Sequence, residues 1–218
     1  MALSNGAGMR YNFVAIEGNI GAGKTSLATM IAEEYNAKLI LEQFEDNAFL
    51  PKFYKDQEKY AFPLEMSFLA SRFQQLTDQL GTQDLFKSFT ISDYFIVKSL
   101  IFAQKTLPPA ELALYVRFFN IINHQLPKPD LFVFLYVNTP KLQQNIKLRG
   151  RSYEQEIKDD YLDKIQEGYI DFIKQQPNLT TLILDTNQID FVRNRTDYNK
   201  IIEVIKQEHK PGIHRITF

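Results

Sequence analysis

Residues 18–25 read Gly-Asn-Ile-Gly-Ala-Gly-Lys-Thr, the spacing G-x-x-x-x-G-K-T. The apolar run Tyr11–Glu17 precedes them, and Thr25–Tyr35, with Leu27, Ile31 and Tyr35 at helical spacing, follows. A strand feeding a helix through glycines lets several backbone N–H groups face one phosphate, and the helix N-terminus adds its dipole. Gly18, Asn19, Ile20, Gly21, Ala22, Gly23, Lys24, Thr25 and Ser26 are therefore expected to cradle ATP. Lys24 is expected to reach the outer phosphates and Thr25 to offer its hydroxyl to Mg²⁺. A loop of this kind commits the chain to an α/β architecture, but it does not say what is done with the nucleotide.

Lys38–Leu41, Phe89–Asp93, Leu131–Val137 and Leu182–Asp185 read as four further strands. The almost wholly apolar Leu131–Val137 marks a strand buried on both faces. Helices are expected at Asn47–Tyr54, Lys59–Leu80, Tyr94–Lys105, Pro109–Gln125, Thr139–Leu148, Asp160–Gln175 and Asp197–Glu208. Thr139 would be an N-cap with Pro140 in the first turn. Strands separated by helices call for right-handed crossovers and a parallel sheet covered on both faces. The expectation is one three-layer α/β domain over residues 11–208 with a five-stranded parallel sheet. Residues 1–10 would be a disordered leader, and 209–218 a loose tail carrying Pro211-Gly212.

Charge and composition exclude several classes. With 25 Lys plus Arg against 26 Asp plus Glu, the net charge of −1 argues against a nucleic-acid partner held by bulk charge. No apolar run reaches the roughly 18–20 residues of a membrane span, so no membrane partner is expected. The N-terminus lacks a signal core, which makes a cytoplasmic location the expectation. The absence of cysteine excludes disulfides, thiolate zinc sites and a cysteine nucleophile. The three histidines are scattered without metal spacing.

Four constellations carry candidate chemistry. Glu42 ends the second strand, where ligands of an open parallel sheet bind, and could take a proton from an attacking hydroxyl; a solvated loop carboxylate is the plainer alternative. Asp93 ends the third strand and could hold the metal opposite Thr25, or merely cap a helix. Positions 62, 65, 69, 72 and 76 form one stripe of a helix, and it carries Glu65 and Arg72 among Phe62, Leu69 and Leu76. Those two charges either form structural ion pairs or hold a polar ligand in an apolar pocket, with Phe62, Phe68 and Phe73 nearby. Arg149-Gly150-Arg151 opens a polar stretch that could be a lid over phosphates at about 149–159, or a solvated basic helix end.

The ensemble resembles the deoxynucleoside kinase family, its bacterial deoxyguanosine kinases most of all. The likeness runs over residues 11–208 and rests on EGNIGAGKTS (17–26), Glu42, Phe53-Tyr54, FPLEMSFLASRFQQL (62–76), IFA (101–103), LPKPD (126–130) and LRGRSYE (148–154). The resemblance implies a P-loop kinase fold with an arginine-bearing lid, ATP as phosphoryl donor, Mg²⁺, a small-molecule deoxynucleoside as partner, and a homodimer. It implies that Glu42 is the general base for the sugar 5′-hydroxyl and that Tyr54 and Glu154 hold the 3′-hydroxyl. Glu65 and Arg72 would then read the base, Arg149 and Arg151 would be lid arginines, and Asp190-Phe191 would lie near the adenine of ATP. Two positions depart from the family pattern. Asp93 is followed by Tyr94 where the family usually carries an arginine, so the lid arginines would carry more of the charge. Asn145 stands where many members carry an arginine that stacks on adenine.

Glu65 bears on substrate choice. An ionised Glu is acceptor-only, and the guanine edge presents two adjacent donors, N1–H and the N2 amine. Adenine and cytosine pair a donor with an acceptor, which suits Gln. Deoxyguanosine is the expected substrate, and a protonated Glu65 would reverse the preference. The alternatives are a deoxyadenosine/deoxycytidine kinase, a nucleoside monophosphate kinase, and a nucleotide-binding switch module without phosphoryl transfer.

Overall fold

The computed structural model describes residues 8–43, 47–82 and 84–218; residues 1–7 of the expected leader lie outside the described residues. Along the chain come β1 (Phe13–Gly18), α1 (Lys24–Tyr35), β2 (Lys38–Ile40), α2 (Leu50–Lys55), α3 (Gln57–Leu80), β3 (Thr90–Ser92), α4 (Val97–Thr106) and α5 (Pro109–Asn123). They are followed by β4 (Leu131–Tyr136), α6 (Thr139–Arg149), a short 3-10 turn at Ser152–Glu154, α7 (Asp159–Lys174), β5 (Thr180–Asp185), α8 (Arg195–Ile205) and β6 (Gly212–Thr217). The strands lie in the order β2-β3-β1-β4-β5-β6, and every neighbouring pair is parallel. All strand carboxyl ends therefore face the same edge, where ligands bind in sheets of this kind.

Central β1 is wholly buried, as β4 is but for its last residue, because both faces of the sheet are covered. On one face Leu27 and Ile31 of α1, Leu142 and Ile146 of α6 and Ile201 and Ile205 of α8 pack on Val14, Ile16 and Val133. On the other, Leu64 and Leu69 of α3, Ile101 of α4, Tyr115 of α5 and Tyr169 of α7 pack on Ala15, Phe132 and Phe134. The 130 carboxylate accepts from the N–H groups of Asn12 and Phe13, which anchors the start of β1. Among the described residues no helix is long and apolar enough to cross a membrane.

The sheet has six strands rather than five. The sixth comes from the expected loose tail, where Gly212–Thr217 pairs with Thr180–Asp185. It is an edge strand whose residues alternate between half-buried and exposed, so its apolar signal is weak. Pro211 stands just before it, where a missing N–H costs the ladder nothing. A second correction concerns α6, whose N-cap is Asn138, accepting from the N–H of Lys141; Thr139 is the first helical residue. Two of the scattered histidines also meet across this edge, with the His209 and His214 rings 5.1 Å apart.

If Gly212–Thr217 is an integral strand, Ile216→Asp, which sets a charge against the core cluster that Ile216 packs on, lowers unfolding stability by about 1–3 kcal/mol. Outward-facing Arg215→Asp changes it by less than about 0.5 kcal/mol. Urea unfolding of both variants reads the difference; equal, negligible effects would mean the tail is dispensable.

Candidate active site

β1 runs into the phosphate loop, and the loop's curl depends on glycine. Gly21 and Gly23 have φ of 82° and 90°, and a Cβ on Gly23 would come within 2.8 Å of the Phe191 ring. α1 starts with no side-chain cap and no acidic residue in its first turn, so its leading N–H groups remain available to an anion. Asn19 is turned inward, with its amide donating to Leu162 O at 2.7 Å and its Oδ1 accepting from the N–H of Ile20. Its side chain braces the loop, and only its backbone can serve a phosphate. Lys24 Nζ donates across the loop to Asn19 O at 2.9 Å. Burial and the nearby Lys98 charge pull its pKa down to about 8, against the pull of Glu17, Glu42 and Asp93.

The ends of β2 and β3 bring Glu42, Asp93 and Thr25 together. Thr25 Oγ1 donates to Asp93 Oδ2 at 2.5 Å, and the other Asp93 oxygen accepts from the N–H of Glu42 at 2.8 Å. The Glu42 side chain is only 9% exposed, so it is not the solvated loop carboxylate. Arg72 Nε and a terminal guanidinium nitrogen donate to Glu42 Oε1 at 2.8 and 2.6 Å, and Lys98 Nζ donates to Oε2 at 2.5 Å. Burial pushes the Glu42 carboxyl up, but Lys98 and Arg72 outweigh it and hold it at about 2. The other terminal nitrogen of Arg72 donates to Ser99 Oγ at 2.8 Å, and the guanidinium lies over the Phe68 ring at 4.7 Å. Its ion-pair partner is thus Glu42 rather than the base-reading position.

Glu65 lies in the same cavity, whose lining also includes Lys24, Thr25, Glu42, Tyr54, Phe68, Arg72, Asp93 and Lys98. Its carboxylate is 2% exposed and accepts from Thr106 Oγ1 at 3.1 Å. Burial drives its pKa up to about 7, against Arg72 and the Thr106 hydroxyl. Tyr54 lines the cavity and stacks on Tyr153, with centroids 6.3 Å apart. Burial, reinforced by Glu154, raises its phenol pKa. Glu154 is buried and receives Arg149 and Arg151, which brings the lid arginines, the carboxylate and Tyr54 to one cavity wall. Of the three phenylalanines expected nearby, Phe68 lines the cavity, whereas Phe62 and Phe73 pack against the core.

Asp190 and Phe191 lie outside the cavity lining. Phe191 is buried against Gly23, and Asp190 accepts from the N–H of Arg193. Their loop is fastened by Lys141, whose ammonium donates to the carbonyls of Thr186, Asn187 and Ile189. Asn145 donates to Gly21 O at 2.8 Å and so buttresses the phosphate loop. A broader hollow between α6 and α7 is lined by Asn138, Asp163, Glu167, Asp171 and Lys174, and has no anion-binding loop. Sequence reasoning missed Lys98 and Tyr161 in the cavity and Thr106 behind it on Glu65. Only Lys98 left a signal, as a cation just ahead of the apolar run Leu100–Ala103 of α4.

A parallel sheet with a glycine-dependent anion loop, a strand-end acid on the loop threonine and a buried carboxylate beside them defines a P-loop nucleotide-binding phosphotransferase class. The family model for deoxynucleoside kinases matches residues 14–209, and the chain belongs to that family. It is 40% identical over 202 residues to a deoxyguanosine kinase of Bacillus subtilis (strain 168), covering 89% of this chain and 96% of that one. A deoxyadenosine kinase of Dictyostelium discoideum is 31% identical over 202 residues, covering 90% and 79%. The structure of a deoxyadenosine kinase from M. mycoides with the products dCMP and a flexible dCDP matches with a TM-score of 0.77 at 26% identity, covering 88% and 98%.

The protonation of Glu65 links stability to pH. Its folded pKa of about 7 lies above the ordinary 4.5, so the folded chain holds a proton that the unfolded chain releases. The stability this confers is fully present below about 4.5 and is lost as pH rises through about 7, a change of up to roughly 3 kcal/mol. Urea unfolding across that range will show the decline in the wild type and a flatter profile in Glu65→Gln. Parallel profiles would mean Glu65 is ionised throughout.

Proposed function

We propose that this deoxynucleoside kinase transfers the γ-phosphoryl group of ATP to the 5′-hydroxyl of a deoxynucleoside, with deoxyguanosine preferred. The observation that carries the reading is that Lys24, Thr25, Glu42 and Asp93 share one cavity with the buried carboxylate of Glu65. The name of the Bacillus subtilis relative supports the guanine preference. Deoxyguanosine lies with N1–H and the N2 amine on Glu65 and its 3′-hydroxyl between Tyr54 and Glu154. The 5′-hydroxyl then points at Glu42.

The 5′ oxygen attacks the γ-phosphorus as the bond from that phosphorus to the bridging oxygen breaks. The hydroxyl proton passes to Glu42, and ADP leaves with the bridging oxygen. A carboxylate held ionised at low pKa is a weak base, but a loose transition state asks it first to orient the hydroxyl and only late to take the proton. Lys24 and the lid arginines Arg149 and Arg151 stabilise the phosphate charge. Thr25 and Asp93 fit Mg²⁺, since their side-chain oxygens already meet at 2.5 Å. Among the described residues no group of three or more His, Cys, Asp or Glu could hold a metal. A Mg²⁺ ion at Thr25 and Asp93 would be carried largely by phosphates and water. When bound it would neutralise phosphate charge.

Steady-state assays with four deoxynucleosides test the reading. Above about pH 7, kcat/KM for deoxyguanosine exceeds that for deoxyadenosine by at least about tenfold. The ratio falls as pH drops through about 7, because protonated Glu65 offers one donor and one acceptor, as Gln does. Glu65→Gln shifts the preference toward deoxyadenosine and removes the pH dependence. Good turnover of deoxyadenosine with little of deoxyguanosine would overturn the assignment of the base. Glu42→Gln lowers kcat by about 10²–10⁴ with ATP binding retained; near-normal turnover would remove Glu42 as the base.

A further inference from the structure

Tyr94 leaves the reacting centre without the arginine that the family pattern puts after the strand-end acid. Tyr94 itself is fully buried, and its hydroxyl is spent on Gln75 Oε1 at 2.6 Å. The lid arginines stand on the Glu154 side of the cavity, each paired with that carboxylate. From the first turn of α4, a different cation enters the site. Lys98 Nζ lies 2.5 Å from Glu42 Oε2, with its side chain 10% exposed, in the cavity that also takes in Lys24 and Thr25. Resting on the function proposed above, we propose that Lys98 is a catalytic residue, the cation that bears on the phosphoryl group in transfer and takes the part of the missing arginine.

Three observations carry this. Glu42 has Arg72 on Oε1 through two N–H groups and Lys98 on Oε2 alone, so the carboxylate facing the 5′-hydroxyl keeps a cationic partner when Lys98 moves off it. Lys98 and Lys24 also repel each other within the cavity, an arrangement relieved by an anion between them. Finally, an ammonium on a flexible stem can move, whereas the Arg72 guanidinium is fixed on both Glu42 and Ser99. As the ammonium shifts to the phosphoryl oxygens, it frees Glu42 Oε2 to accept the 5′-hydroxyl proton. The proton ends on Glu42, the 5′ oxygen–phosphorus bond forms, the bond to the bridging oxygen breaks, and Lys98 stays protonated throughout.

The backbone position of Lys98 is set by Glu17, whose carboxylate accepts from the N–H of Phe95 at 2.7 Å just ahead of α4. Replacing the lysine leaves that anchor and the Glu42–Arg72 pair in place, so Lys98→Met should fold. Its kcat with ATP and deoxyguanosine should fall about 100-fold or more while KM for the nucleoside changes less than about threefold. Lys98→Arg should recover at least about tenfold of the loss. Lys98→Ala should be rescued by added propylammonium, whereas tetramethylammonium, which has no N–H, should not rescue it. Lys98→Met retaining kcat within about threefold, or no rescue by amine or arginine, would overturn the catalytic role and leave a structural ion pair. In that outcome wild-type turnover still stands. A wild-type protein inactive on every deoxynucleoside would overturn this proposal together with the function it rests on.

Discussion

A carboxylate buried at the end of β2 cannot stay ionised without partners, and the site is organised around supplying them to Glu42. Arg72 comes from α3 and Lys98 from α4, and the N–H of Glu42 is held by Asp93 after β3. Helix α3 and the stretch from Asp93 to Lys98, both distant from Glu42 in sequence, therefore converge on one residue. The same contacts set its chemistry, because the cations hold it at about 2 while burial alone would push it up. Breaking such a cluster from one side costs more than its net contribution to folding, since it strands a charge in a place without water.

The phosphate loop and this cluster are linked through β1. Glu17, at the end of that strand, accepts from Phe95 N–H and from the Tyr169 hydroxyl, both at 2.7 Å. It thereby ties the strand that feeds the loop to the start of α4 and the middle of α7. The carboxylate is fully buried, and burial raises its pKa even though Lys98 and Lys24 pull the other way. One strand thus positions the anion loop on its own carboxyl end and, through a single buried acid, the helix that carries Lys98.

Arg72 also links the two glutamates of the cavity. It is the leading favourable charge on Glu65 and one of the two that hold Glu42, yet its hydrogen bonds go to Glu42 and Ser99. Glu65 is left with the Thr106 hydroxyl and a weaker electrostatic hold, which is why one glutamate of the cavity is firmly ionised and the other sits near neutrality. Two carboxylates in one cavity are pushed apart by environment, which suits the division between proton acceptance and base reading proposed above.

Much of this was legible in the chain. The G-x-x-x-x-G-K-T spacing, the stripe of Glu65 and Arg72 and the strand-end acids Glu42 and Asp93 depend on local periodicity and turn chemistry, which sequence carries directly. β6 escaped because an edge strand is buried on one side only and shows no strong apolar run. Thr139 was read as a cap because a hydroxyl before proline fits that role as well as the preceding asparagine does. Lys98 escaped because a lysine in the first turn of a largely apolar helix reads as a side chain reaching for solvent, until packing puts it against a residue 56 positions earlier. The sequence by itself determined the class of fold, the anion loop and which residue types stand at the strand ends. Only the tertiary structure decided which charges meet, and therefore which groups hold or release a proton, because desolvation and pairing are sums over the whole packed site.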